Sequence, residues 1–436
     1  MKILYFNLPL PHMKTPNKLP LLVTLVASLA CGFSSFPALP TVQAQSTLYW
    51  TDSSTQWVTG PDLSTIPAGW ASTLGGTKDQ KWDNGTAEAR NSAVIDVTSP
   101  NPEITIAPND RAINVGTLTI ANSATLVGGS GNTRFFYIET GGSGTLTLAT
   151  TSLSTASNGS MLRLSGTSAW DGTIGTSASA GDANKNRIEI TKMTAVGQST
   201  TLSIDGARVI VAGNSGDVFT IGELKGAGGA LRLNTGGAGQ SKELVVNQST
   251  DTTFAGVFEE SVAAGTSVLT KQGEGSLTLG GANTIDQVNV NGGSLIVDGS
   301  ISGDVSVAQG AKLGGTGSVG AVTLNNGAVI KFSLGAAQNL TASSLVKGTD
   351  GTYVFDFGGT GVAGETYTLS SVVGAGFEQS EFSAINLASG VTGAFLLSGS
   401  ELKFVTSAAI PELSICALLA GGVILAGALI LRRRHR

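Results

Sequence analysis

Valine recurs at positions 288, 305 and 322, and a whole frame of residues steps along with it at a spacing of 17. The segments VNVNGGSLIVDGSISGD from Val288, VSVAQGAKLGGTGSVGA from Val305 and VTLNNGAVIKF from Val322 align Val290 with Val307 and Leu324. They likewise align Gly293 with Gly310 and Gly327, then Ile296 with Leu313 and Ile330, with small residues at Ser294, Ala311 and Ala328. A strand that alternates apolar and polar residues, turns at a fixed glycine and resumes one period later lets like stack on like in successive coils. The expected fold is therefore all-β, a right-handed parallel β-helix (β-solenoid) with capped ends. If the period holds over residues 101–335, about 14 coils stacked some 4.8 Å apart form a rod on the order of 65 Å long.

Composition agrees with short strands and frequent turns. Glycine supplies 60 of 436 residues, about twice its usual share, and only 13% of residues are charged. A chain of this length ordinarily makes two or three globular domains. A solenoid uses length differently, by burying one continuous core between coils.

The two ends read as addresses. Lys14 and Lys18 precede the apolar run LPLLVTLVASLACG, and Val42, Gln43 and Ala44 have the small-residue spacing of a signal-peptidase site. Residues 1–44 are thus expected to be a signal peptide cut between Ala44 and Gln45, with Met1 or Met13 as the start. Cys31 suggests a lipoprotein, but Ser28 stands where a large aliphatic residue is required. At the other end the run Leu413–Leu431 contains no charge, and Arg432, Arg433, Arg434, His435 and Arg436 follow it directly. Such a run is long enough for one transmembrane helix, and the arginines would keep the tail cytoplasmic.

The order Ile410, Pro411, Glu412, apolar helix, arginines resembles the PEP-CTERM sorting signal of Gram-negative bacteria, with Leu413 in place of the second proline. The resemblance implies at least transient anchoring in the inner membrane, recognition near Pro411 and Glu412 by an exosortase-like processing protease, removal of the helix, and release or attachment at the cell surface; without that cleavage the protein stays anchored in the inner membrane. A second resemblance covers the body. LTKQGEGSLTLGGANTIDQVNVNGGSLIVDG, from Leu269 to Gly299, is similar to the autotransporter-associated β-strand repeat, whose passenger regions are parallel β-helices. Echoes from Gly116, Gly144 and Thr201 suggest further coils with drifting spacing. The residues between Leu340 and Ile410 are too few for the membrane barrel that ends a true autotransporter.

These features divide the chain into a signal peptide (1–44), a Trp-rich N-terminal cap region (45–100), solenoid repeats (101–335), a C-terminal β cap (336–409) and a sorting tail (410–436).

Both histidines and both cysteines (His12, Cys31, Cys416, His435) lie in the terminal segments. Residues 45–411 therefore offer no Ser-His-Asp or Cys-His catalysis, no thiolate or imidazole zinc site and no disulfide. No cofactor or metal is expected. Of the 25 basic residues 7 lie outside this stretch, leaving 18, and of the 30 acidic residues only Glu412 does, leaving 29, so the net charge is −11. Nucleic acid is a poor partner for such a body.

Three motif matches fail on their surroundings. Gly315, Gly317 and Gly320 satisfy G-x-G-x-x-G with no βαβ unit around them, and read as turns. Gly141, Gly142 and Gly144 open like a calcium nonapeptide, but Leu146 replaces its aspartate. Asp182, Asn184 and Asn186 begin like an EF-hand, yet Arg187 and Met193 occupy the glycine and glutamate positions.

Trp50, Trp57, Trp70 and Trp82 cluster in a non-repetitive stretch. They suit a plug over the first coil, and Trp57 and Trp82 also suit glycan contact. The isolated Trp170 reads as core. The expected function is a non-enzymatic structural or adhesive role at the cell surface or in an extracellular matrix, where a polysaccharide is an admissible partner. Two alternatives are a β-helix polysaccharide lyase or hydrolase, centred on Asp205, Arg208 and Asp217, and a carbohydrate-binding surface protein using its tryptophans.

Overall fold

The computed structural model describes residues 47–50, 56–57, 70–72, 91–95, 103–106, 112–128, 134–149, 160–177, 187–234, 237–259 and 265–408. The signal peptide with Ala44 and Gln45, Trp82, and the tail carrying Pro411, Glu412, Arg432, Arg433 and Arg434 lie outside the described residues. Among the described residues no helix is long and apolar enough to cross a membrane. Their helical content is two 3-10 turns, Met193–Ala195 and Gln379–Glu381.

The chain winds as a parallel β-solenoid of about nine turns. Many of its strands alternate: Gln287–Val290 and Asp304–Val307 each bury their two valines and turn the other residues outward. Parallel pairing then stacks the buried positions into ladders on three faces. One ladder runs Phe136, Leu162, Ile188, Val209, Leu231, Phe258. A second runs Phe219, Leu244, Leu269, Val288, Val305, Val322, Leu345. The third includes Leu146, Ile174 and Leu202, and later Leu277, Leu295, Leu313, Ile330 and Phe355.

The expected stack of Val290, Val307 and Leu324 is present in register. Two other expectations are corrected. Leu313 pairs with Leu295, not Ile296, because the corner after Val307 holds one residue more than the corner after Val290; Ile296 therefore points outward. The short coil of the repeat is also local. Leu146 stacks on Ile174 and Ile188 on Val209, both wider steps than the one that sets Val288 on Val305. Longer coils mean fewer of them, and nine turns at about 4.8 Å give a stack on the order of 40 Å.

Corners impose their own chemistry. Gly228, Gly256, Gly281, Gly299 and Gly317 form a column at one corner, and a methyl on any of the last four would fall on the carbonyl oxygen of the glycine one coil before it. Gly317 of the G-x-G-x-x-G match is thus a corner glycine, and Gly320 lies within the strand Ser318–Leu324. Buried polar side chains satisfy backbone groups that sheet pairing leaves over. Asn283 donates to the carbonyls of Gly281 and Ser300 and accepts from the amide of Phe258.

Beside the first coil, Thr47–Trp50 pairs parallel with Ser92–Ile95 and antiparallel with Trp70–Ala71. The rings of Trp50 and Trp70 are buried edge to face, centroids 4.9 Å apart. Trp170 is core, as its isolation suggested, and its indole N–H donates to the Gly144 carbonyl at 3.0 Å. At the far end the chain abandons parallel pairing. Thr366–Ser370, Val391–Ser398 and Glu401–Ala408 form an antiparallel sheet. Its Phe395 and Phe404 pack on Phe355, Phe357 and Phe382 of the last parallel strands, the closest rings being 4.5 Å apart.

Candidate functional site

The outer surface of the first face carries the densest set of charged side chains described. Its strands Arg134–Ala149, Ser160–Leu164, Arg187–Ile190, Arg208–Val211, Ala230–Leu233 and Val257–Glu259 lie side by side. Since their even-spaced apolar residues fill the core, the alternate residues must face out. Register then sets Tyr137, Arg163, Glu189, Ile210, Arg232 and Glu259 in one column, with Arg187 and Arg208 adjacent in the next.

Each glutamate in this array is held between two arginines. Arg163 donates to Glu189 through Nε and Nη2 at 3.1 and 2.7 Å, and Arg187 donates through Nε at 2.7 Å. Arg208 reaches Glu259 at 3.0 Å and Arg232 reaches it at 2.8 Å. Burial pushes the Glu189 carboxyl up, but the bonds from Arg187 and Arg163 outweigh it and hold the group below the usual carboxylate range. The same balance, with Arg208 and Arg232, holds Glu259 down. Both glutamates are therefore ionised at neutral pH, and each triad keeps one positive charge. Between 12% and 36% of each arginine side chain is exposed. Ion pairs this wet contribute about 0–1 kcal/mol each, so the stacked core and not the charges holds the face together. What the pairs do fix is the orientation of the guanidinium forks. The Arg163 fork also lies 5.2 Å over the Tyr137 ring.

Sequence reading missed this array because three of its four ion pairs join residues 26, 51 and 27 apart, and Arg187 with Glu189, two apart on one strand, does not by itself mark a site. One signal was available: all seven arginines between residues 45 and 411 precede residue 233. Every described arginine is on this sheet, and the other described cations are lysines.

The residues proposed for a lyase do not converge. Asp205 accepts from the Ala227 amide, Asp217 accepts from the Asn214 amide, and Arg208 belongs to the Glu259 triad. Of the candidate glycan contacts, Trp57 is placed only by its backbone, paired with Ile106, and Trp82 lies outside the described residues.

A second concavity of about 550 Å³ opens near the far end between two faces of the solenoid, roofed by Thr366–Ser371. Leu313, Val322, Phe332, Leu345, Phe355 and Tyr367 line it, and no carboxylate, histidine or cysteine does. Its walls mix these apolar side chains with Lys331, Gln338, Asn339 and several serines and threonines.

Over 111 residues the chain is 39% identical to the adhesin BmaC autotransporter of Brucella suis biovar 1 (strain 1330). The matched stretch is 23% of this chain and 3% of that protein, so the chain spans a small fraction of its relative's length. No family model and no solved structure matches.

Proposed function

We propose that the protein is an exported, non-enzymatic adhesin or matrix component of a Gram-negative bacterium. The observation that carries this reading is the solenoid itself: an unbroken stack of coils whose flat outer faces present side chains in register. Partial similarity to an adhesin supports it. In this reading the signal peptide is removed at Ala44 and Gln45, Trp50 and Trp70 plug the first coil, and the antiparallel sheet closes the last. Pro411, Glu412 and the Arg432–Arg434 cluster direct sorting through the inner membrane by an exosortase-like protease. The test is deletion of the gene together with terminal peptide mapping of the surface fraction. Loss of attachment to surfaces or matrix is expected, with a mature protein that begins near Gln45 and ends close to Pro411. Unchanged attachment by the deletion strain, or recovery of the protein only from the cytoplasm, defeats the proposal.

A further inference from the structure

We propose that the outer face from Tyr137 to Glu259 binds an acidic polysaccharide, a chain bearing carboxylate or sulfate groups, laid along the solenoid axis. This deepens the adhesive reading and rests on it.

Charge supplies the first argument. The stretch from 45 to 411 carries a net −11, yet four outward arginines gather on adjacent strands here. The carboxylates beside them on the strands of this face are Glu139, Glu189 and Glu259, of which the last two are each shared by a pair of arginines. A polyanion repelled elsewhere meets attraction along this strip.

Geometry supplies the second. A guanidinium fork fits carboxylate and sulfate oxygens in pairs of bonds, and a fork already fixed by a glutamate loses little freedom on binding. Glu189 and Glu259 stand three rungs apart in one column, through Ile210 and Arg232, so the two positive centres are about 14 Å apart. From Tyr137 to Glu259 is five rungs, about 24 Å, which accommodates an oligosaccharide. One rung is close to the length of one sugar residue, so successive sugars meet successive strands. Tyr137, stacked under Arg163, gives the strip an aromatic end of the kind that packs against a sugar ring.

Spacing also separates this ligand from nucleic acid. Duplex DNA carries a charge about every 1.7 Å, a density that the acidic body opposes. An acidic glycan carries one charge every sugar or two, which matches isolated cationic centres.

The test uses the full-length protein, immobilised, and titrated with polygalacturonate, a neutral glucan of similar length and duplex DNA at low and high salt. Saturable binding of polygalacturonate that weakens with salt is expected, with little binding of glucan or DNA. The double variants Arg163→Gln/Arg187→Gln and Arg208→Gln/Arg232→Gln should each weaken it on the order of tenfold, while Lys312→Gln/Lys403→Gln, on other strands, leaves it unchanged. Where a glutamine variant fails to fold, Arg208→Lys/Arg232→Lys keeps the charge and removes the fork, and intermediate binding is expected. No binding of polygalacturonate, equal binding of glucan, preference for DNA, or equal loss in the lysine variant each overturns the inference. If attachment by cells depends on the gene but survives the arginine variants, this inference fails and the adhesive reading stands. If attachment is independent of the gene, the adhesive reading fails first.

Discussion

A lysine occupies one rung of a ladder whose other rungs are aliphatic: Ile221, Val246, Lys271, Val290, Val307 and Leu324 are paired in that order. Lys271 is tolerated because its chain reaches the corner, where Nζ donates to the carbonyls of Gln272, Gly273 and Gly292 at 2.7, 3.0 and 3.1 Å. Burial pulls its ammonium down to about 8, with Asp251 pushing weakly the other way. A lysine in the unfolded chain holds its proton to about 10.4. Between these values the unfolded state binds more protons than the folded one, so stability rises with pH as the cost of burying the cation disappears. Urea midpoints from pH 7.5 to 10 should rise, by at most about 3 kcal/mol in free energy. Lys271→Met should flatten the rise while lowering stability throughout, because three carbonyls lose their donor; an equal slope in the variant would reassign the effect, for instance to Lys242, which burial also lowers. Two rungs on, Val307 is fully buried and Ser306 faces out. Aspartate at 307 is too short to reach a corner and leaves a charge unpaired between its apolar neighbours. Val307→Asp should therefore cost at least about 3 kcal/mol in thermal or urea unfolding, and Ser306→Asp within about 1 kcal/mol. Equal tolerance would mean the ladder is misassigned.

The coil is the element of this fold, and its corners are as constrained as its strands. In the glycine column, Gly299→Ala drives a methyl into the Gly281 carbonyl and should lower stability by about 1–3 kcal/mol. Gly237→Ala, where nothing lies within reach of the added carbon, should change it by less than about 0.5 kcal/mol. Measured unfolding free energies of the two variants check the contrast. The terminal sheet depends on its aromatic contacts: Phe404 lies 4.5 Å from Phe357 and 5.0 Å from Phe395, so Phe404→Ala should destabilise by about 3–5 kcal/mol. How much of these elements was legible depends on whether spacing or contact defines them. The coils from Val288 to Leu324 keep one period because their corners are nearly equal, and Val290, Val307 and Leu324 could be stacked from sequence alone. Upstream, wider and unequal steps keep the inward alternation but destroy the period, so Leu162, Ile188, Val209 and Leu231 of one ladder show no common frame. Lys271 hid because a charged residue was not expected in an apolar ladder. The arginine triads hid because three of their four ion pairs join residues brought together only by whole turns of the solenoid, and the fourth, Arg187 with Glu189, is an ordinary spacing along one strand.

At the scale of the molecule, the parallel stack must end somewhere, and an open last coil offers unpaired backbone to any strand that meets it. The antiparallel sheet from Thr366 to Ala408 lies over that end through its phenylalanines. A chain terminated before Thr366 should associate with itself in a concentration-dependent way, seen by light scattering, and its unfolding should broaden; a monodisperse truncated chain would show that the last coil protects itself. The short coil from Val288 to Val305 and the long one from Leu146 to Ile174 close around the same three-sided core. Length and core geometry are thus uncoupled: coils of different length keep their ladders in register. Such a stack can accept a foreign peptide at a long corner as readily as it has accepted its own surplus residues. It is a display frame whose ornaments can be exchanged while the frame stays fixed.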